Sequence, residues 1–193
     1  MARTKDFDED EVLKKAMYLF WDKGYNGTSM QDLVDGLGIS RSSLYDTYSD
    51  KHTLYIKALQ HYKSTAGAGM SAIIENSSPA KETIRRLLYH FVNELTKDPE
   101  HKGCFLVNSA VELASHDPEI NQMLCESDRQ TEALLRETIE KGQKTGEITN
   151  NQDAASIAGF IFNNIKGMRV TARSGVDKKT FDGIVAMTLS VLD

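Results

Sequence analysis

Apolar residues recur along this chain at the three- and four-residue steps of an amphipathic helix. The stretch from Met30 to Leu37, for example, places apolar side chains at positions 30, 33, 34 and 37. Few segments alternate apolar and polar residues in the way that a half-buried strand does. The pattern, together with only 3 prolines in 193 residues, predicts an all-α protein.

Helix-capping signals divide the pattern into nine predicted helices. Asp8 and Glu11 form a capping box at the start of the first helix, and Gly24 is suited to end it. We assign the N-caps of the first four helices, in chain order, to Asp8, Thr28, Ser40 and Asp50. A break at Ser77-Ser78-Pro79 precedes five further helices, predicted over about residues 79–97, 103–115, 118–144, 152–173 and 177–189.

Composition excludes several classes of protein. Hydrophobic residues make up 40% of the chain and charged residues 26%, which is ordinary for a soluble globular protein. No apolar run approaches the roughly 18 residues of a membrane helix. The charged start of the chain lacks the apolar segment of a secretion signal. We therefore expect a cytoplasmic protein.

Catalytic and metal-binding patterns are absent from the sequence. The 5 histidines are scattered, without a serine or aspartate at the spacing of a catalytic motif. There is no glycine-rich phosphate loop and no cluster of Cys and His with zinc spacing. We expect neither an enzyme nor a bound metal or cofactor.

The segment from Thr28 to Tyr48 has the pattern of a helix-turn-helix. Gly38 permits a tight turn between two short helices, whose apolar residues form a wedge between them. The second helix then presents the small polar run Arg41-Ser42-Ser43, which a major groove about 12 Å wide can admit. A plain helical hairpin explains the same spacing, and the net charge of −5 argues mildly against nucleic acid. Spacing and charge alone leave both interpretations open.

A longer set of residues around this segment decides between them. The set comprises Phe20, Gly24-Tyr25, Thr28-Ser29-Met30, Leu33, Gly38-Ile39-Ser40, Leu44-Tyr45, Tyr48, Lys51 and Leu54-Tyr55. Over roughly residues 8–62 it resembles the N-terminal signature of the TetR/AcrR (tetracycline-repressor) family of transcriptional regulators. The resemblance implies the nine-helix fold of that family. Residues 1–50 would form a DNA-binding domain, and residues 51–193 an effector-binding and dimerisation domain, with the fourth helix as connector.

The resemblance also implies a dimeric repressor that binds a palindromic operator through the helix from Ser40 to Tyr48. Two of the expected contacts, Thr28 and Lys51, lie at helix N-termini, where backbone N–H groups bind phosphate. The full set of expected DNA contacts is Thr28, Ser40, Arg41, Ser42, Ser43, Tyr45, Tyr48 and Lys51. The alternative is a helical protein–protein adaptor that does not bind DNA.

An effector pocket is expected among the fifth to eighth helices. Its predicted residues are Tyr62, Leu88, Phe91, Cys104, Phe105, Asn108, Glu112, Leu134, Phe160 and Asn164. The stretch from His101 to Ser109 resembles the start of helix six in a branch of the family that senses reactive electrophiles. That resemblance implies a sensor thiol at Cys104, and an inert buried thiol is the alternative. The expected effector is therefore a small molecule or a reactive electrophile.

Two apolar stripes near the C-terminus suit a subunit interface. A four-helix bundle formed by two subunits would bury both of them, although an internal core explains the same spacing. The predicted interface residues are Ile157, Ile161, Ile165, Met168, Phe181, Ile184, Val185 and Thr188. With the family resemblance, we expect a homodimer.

Overall fold

The computed structural model describes residues 7–75 and 79–193, so the predicted break at Ser77-Ser78 lies outside the described residues. Over these ranges the chain forms nine α-helices and two short 3₁₀ turns, and no strand. The all-α prediction is confirmed. The helices are α1 (Glu9–Lys23), α2 (Met30–Leu37), α3 (Arg41–Tyr48), α4 (Lys51–Glu75), α5 (Ala80–Lys97), α6 (Phe105–Leu113), α7 (Pro118–Thr145), α8 (Ala154–Thr171) and α9 (Lys178–Leu189).

Side-chain caps set the starts of the first helices. Asp8, Ser40 and Asp50 each accept hydrogen bonds from backbone N–H groups in the turn that follows, as predicted. The prediction for α2 is wrong, because its N-cap is Ser29 rather than Thr28. Ser29 forms a reciprocal capping box with Asp32. The start of α2 is therefore displaced by one residue from the position predicted.

Two apolar cores hold the helices together. The first is built from α5, α7, α8 and α9. The second joins α1 to α4 with α6 and the start of α7, so the N-terminal helices share a core with two helices of the C-terminal part. None of the described helices has the length and apolar character needed to cross a membrane.

The predicted interface stripes lie inside the first core. Seven of their eight members are at most 2% exposed: Ile157, Ile161, Ile165, Met168, Phe181, Val185 and Thr188. The eighth, Ile184, is half-buried and packs against the same core. The assignment of the seven buried residues to a subunit interface is therefore corrected, since their side chains are already covered within one chain, whereas that of Ile184 stays a prediction.

Candidate nucleic-acid interface and effector cavity

A left-handed glycine sets the angle between α2 and α3. Gly38 caps α2 with φ 68° and ψ 25°, a backbone conformation that costs glycine little and other residues more. Leu33, Leu37 and Leu44 are buried on either side of this turn. Their burial fixes which face of α3 points inward and which remains exposed.

The outward face of α3 carries hydroxyls and a guanidinium. Ser40, Arg41, Ser42 and Tyr45 are exposed, and Ser43 is half-buried. The Ser40 hydroxyl lies 2.9 Å from the hydroxyls of both Ser42 and Ser43. The Arg41 guanidinium lies 5.9 Å from the centre of the Tyr45 ring, one helical turn away. Apart from the Tyr45 ring, this face carries small or polar groups, as a helix that enters a major groove requires.

Tyr48 does not belong to the exposed face. Only 2% of this residue is exposed, and its hydroxyl donates a hydrogen bond to the backbone carbonyl of Glu9 at 3.4 Å. Burial, followed by the carboxylates of Glu9 and Asp10, raises the pKa of the Tyr48 phenol. Its assignment to the DNA contacts is corrected, because the ring anchors α3 to the start of α1.

Thr28 is also unavailable to a phosphate. The residue is fully buried, and its hydroxyl donates a hydrogen bond to the backbone carbonyl of Gly24 at 2.6 Å. Gly24 ends α1 with φ 78°. Thr28 thus closes the turn between α1 and α2 from within, and its assignment to the DNA contacts is corrected.

Lys51, the first residue of α4, lies against the same turn. Its ammonium is 4.2 Å from the centre of the Tyr25 ring. Partial burial lowers the pKa of the Lys51 ammonium, and the carboxylates of Glu112 and Asp32 act in the opposite direction. The first residue of α4 is therefore held beside the turn between α1 and α2.

Glu112 connects α6 directly to the turn between α1 and α2. Its carboxylate accepts hydrogen bonds from the backbone N–H groups of Tyr25, at 3.0 Å, and Asn26, at 2.7 Å. An added Cβ at Gly24 would lie 2.8 Å from the same carboxylate, so the turn and the side chain fit closely. The assignment of Glu112 to the effector pocket is corrected, because its carboxylate is used in this contact.

Two further polar contacts join α4 to the C-terminal helices. His52 Nε2 lies 2.6 Å from a carboxylate oxygen of Asp117, which caps α7. Farther along α4, the buried hydroxyls of Tyr55 and Ser109 are 2.7 Å apart. Together with Glu112, these contacts connect α6 and α7 to the N-terminal helices, and no sequence motif indicated them.

A cavity of about 830 Å³ lies between α4, α6, α7 and α8. Of the residues predicted for an effector pocket, Tyr62, Phe91, Cys104 and Leu134 line it. Leu106 also lines it, and the wall includes residues that no sequence pattern indicated: Lys63, Met70, Met123, Asp128, Phe162 and Lys166. The cavity shares the α6 helix with the Glu112 contact, so both depend on the position of that helix.

Two family models match the chain over these elements. Residues 12–58 match the model for bacterial regulatory proteins of the tetR family, and residues 80–187 match the tetracyclin repressor-like C-terminal domain. The chain belongs to the TetR family. The resemblance inferred from residues 8–62 is thereby confirmed, and this TetR-family protein is a transcriptional regulator with an N-terminal helix-turn-helix.

Similar proteins include other HTH-type and TetR-family transcriptional regulators. This TetR-family chain is 34% identical to the uncharacterized HTH-type transcriptional regulator YezE of Bacillus subtilis, over the full length of both. It is 29% identical to the HTH-type transcriptional repressor ComR of Escherichia coli, across 97% of this chain and 90% of ComR. Among solved structures, a cysteine-substituted CifR, a TetR-family regulator complexed with 26-bp operator DNA, shares 26% identity and a TM-score of 0.86 over 98% of each chain.

The remaining residues predicted for the pocket of this TetR-family regulator lie outside the cavity. Leu88 is fully buried in the first core, and Phe105 packs edge-on against Tyr55 in the second. Asn108 donates a hydrogen bond from its side-chain amide to the carbonyl of Lys102. Phe160 is 49% exposed, and Asn164 donates to its carbonyl. The assignments of all five residues to the pocket are corrected. Their side chains pack in a core, form hydrogen bonds to the backbone or face outward.

Cys104 lies at the N-cap position of α6 and in the wall of the cavity. Only 2% of the residue is exposed, and its sulfur accepts a hydrogen bond from the Tyr62 hydroxyl at 3.6 Å. Lys102, which the sequence places two residues before it, pairs with Asp98 and Glu100 instead. The thiol is therefore reached through the cavity rather than from the outer surface.

Proposed function

We propose that this regulator is a cytoplasmic, homodimeric repressor that binds a palindromic operator through α3 and is released by an effector in the cavity. The observation that carries the proposal is the exposed polar face of α3, held by a buried wedge in a chain of the TetR family. We retain the division into a DNA-binding domain at residues 1–50 and an effector and dimerisation domain at residues 51–193.

The proposed DNA contacts are the predicted residues whose side chains remain exposed or half-buried. Arg41, Ser42 and Tyr45 face base edges in the major groove, where arginine pairs with guanine and an aromatic edge packs on a thymine methyl. Ser40, Ser43 and Lys51 contact phosphates on either side and so set the register of the protein. Two such helices in a dimer would lie in successive major grooves, about 34 Å apart.

We propose that the dimer forms through the outer faces of α8 and α9. Three large apolar side chains are exposed there: Phe160 at 49%, Val170 at 52% and Met187 at 74%. Gly167 and Gly183 are exposed on the same two helices, and their lack of a side chain permits a close approach. Met187→Glu should convert the dimer to a monomer in sedimentation velocity, whereas Lys141→Glu on the exposed side of α7 should not. An unchanged dimer in the Met187 variant would contradict this interface.

Release is proposed to act through α6. This helix supplies part of the cavity wall and also carries Glu112, which holds the turn between α1 and α2. An effector that prefers a shifted α6 therefore also favours a shifted DNA-binding domain, and the population leaves the operator-competent state. Near-complete release demands roughly a 10⁴-fold preference for the released state.

A reactive effector would act at the same place. Because the Cys104 thiol lines the cavity, an electrophile that enters it can add to the sulfur and remain there. Covalent attachment supplies a large preference for the modified state without requiring high affinity. The two modes of release are separated by Cys104→Ser, which abolishes only the covalent one.

A reporter experiment tests the repressor function. The DNA upstream of the genes beside this one is fused to a reporter, and the chain is expressed with it. The wild type should lower the signal, whereas Ser42→Glu, which places a negative charge on the exposed face of α3, should not. A protein–protein adaptor would leave the reporter unchanged, and any complex it formed with duplex DNA would lack a steep dependence on salt.

A further inference from the structure

The cavity carries an excess of positive charge in a protein whose net charge is −5. Its charged lining residues are Lys63, Asp128, Lys166 and Arg169. Asp128 is already paired with Lys166, so within the described part of the chain Lys63 and Arg169 have no counterion. The electrostatic potential inside the cavity therefore favours an anionic occupant.

Arg169 is positioned to receive such an occupant. Its guanidinium carbon lies 4.6 Å from the centre of the Phe91 ring. Its side-chain N–H groups form no hydrogen bond with any described residue. The cation–π contact with the ring holds the guanidinium in place, while its N–H donors have no partner among the described residues. A fixed fork of unpaired donors matches the two oxygens of a carboxylate or a similar acid group.

The neighbouring phenol does not neutralise this charge. Burial raises the pKa of Tyr62 far above its ordinary value, and the charge of Arg169 acts in the opposite direction. Tyr62 therefore stays uncharged, with its hydroxyl donated to the sulfur of Cys104. The positive charge of Arg169 remains available to a ligand.

The rest of the wall is largely apolar. Met70, Leu106, Met123, Leu134 and Phe162 surround the remaining volume. About 830 Å³ lies within the usual range for sites that enclose an organic ligand. An inorganic anion paired with Arg169 would leave this apolar volume unfilled, so the wall favours a larger occupant.

We propose that the effector is an amphipathic organic anion. Its acid group pairs with Arg169, and its apolar body fills the space between α4, α6, α7 and α8. The inference rests on the proposed effector role of the cavity, and it adds the chemical class of the ligand and the residue that selects it.

Two fluorescent probes that differ by one acid group test the proposal. Anilinonaphthalene sulfonate is the anion, and phenylnaphthylamine is its uncharged parent. The wild-type protein should bind the sulfonate at least tenfold more tightly than the parent. Arg169→Met keeps a long side chain on Phe91 but removes the charge. It should weaken sulfonate binding at least tenfold and change the affinity for the parent less than twofold. Arg136→Met, exposed on α7 outside the cavity, is the matched control and should bind both probes normally.

Salt and competition measurements do not depend on any variant. Raising the salt concentration should weaken binding of the sulfonate and leave binding of the parent unchanged. Dodecanoate should displace the sulfonate at a concentration at least tenfold lower than dodecanol does. Three results would each overturn the proposal. The first is equal affinity of the wild type for the two probes. The second is an equal loss of affinity for both probes in the Arg169 variant, and the third is binding of the sulfonate that does not depend on salt.

Operator binding is measured separately, without either probe. If the wild type fails to bind any operator, the proposed repressor function fails while the probe results still stand. If operator binding is normal and the sulfonate shows no preference over its parent, only the ligand class is wrong.

Discussion

Removing the Glu112 carboxylate should loosen the contact between α6 and the DNA-binding helices. In the folded protein this one side chain accepts from the N–H groups of Tyr25 and Asn26, more than 80 residues away in sequence. Glu112→Ala leaves both donors without their partner. Glu112→Gln keeps the shape of the side chain but offers a single acceptor oxygen.

The two hydrogen bonds do not contribute equally. A hydrogen bond to a charged group stabilises a protein by about 1.5–3 kcal/mol, more when the donor is shielded from water. The Tyr25 contact is partly buried, whereas the Asn26 contact is exposed, so water can replace the second at little cost. We therefore expect Glu112→Ala to lower the free energy of unfolding by about 2–3 kcal/mol, and Glu112→Gln by about 1 kcal/mol.

Urea unfolding at one protein concentration measures these changes. The midpoint should shift while the slope with denaturant stays constant, because the surface exposed on unfolding is unchanged. Glu132→Ala, exposed on α7, is the control and should stay within about 0.5 kcal/mol of the wild type. A Glu112→Ala protein as stable as this control would refute the reasoning, since the carboxylate would then contribute nothing to the contact.

Three further predictions concern the proposed functional residues. Arg41→Ala should cost about 1–3 kcal/mol in operator binding and relax base preference at one position, measured by anisotropy on substituted operators. Lys51→Ala should weaken binding to every duplex alike and lower the slope of log affinity against log salt by about one. Cys104→Ser should retain operator binding but no longer release the operator when an electrophile such as N-ethylmaleimide is added, because the attacking sulfur is gone.

Each of these three predictions has a control variant or a result that would contradict it. Arg85→Ala on α5 should leave operator affinity unchanged, and an equal loss on all sequences would make Arg41 a phosphate contact. Lys141→Ala should keep the wild-type dependence of affinity on salt. A Lys51→Ala protein that also kept it would contradict the phosphate contact. Cys125→Ser should still respond to the electrophile, and normal release by Cys104→Ser would limit the effector to non-covalent binding.

Local signals in the sequence were sufficient to predict the helices. Caps such as Asp8 and the glycine at position 38 act within a few residues, so their effect on the backbone can be inferred from neighbours alone. The error at Thr28 has the same origin. Thr28 and Ser29 are both good N-caps. The hydroxyl of Thr28 is used in its hydrogen bond to the Gly24 carbonyl, and Ser29 takes the cap position through its capping box with Asp32.

Side-chain orientation within the helical bundle could not be predicted from spacing. A stripe such as Ile157, Ile161 and Ile165 is equally suited to a subunit interface and to a core, and the packing of α5 and α7 against α8 decides in favour of the core. Glu112 and Arg169 both occur in apolar surroundings in the sequence. Glu112 reaches the turn after α1, whereas Arg169 faces the cavity. The difference comes from long-range packing, which no local pattern encodes.

Selection from a pool of randomised duplexes tests the central claim most directly. The purified chain is incubated with the pool at low salt, and bound molecules are recovered, amplified and sequenced. We expect enrichment of an inverted repeat whose half-sites lie about one helical turn apart, and no enrichment with Ser42→Glu. If the wild-type protein enriches no sequence, the assignment of α3 as the helix that reads DNA is contradicted. The assignment is also contradicted if Ser42→Glu enriches the same sequence as well as the wild type does.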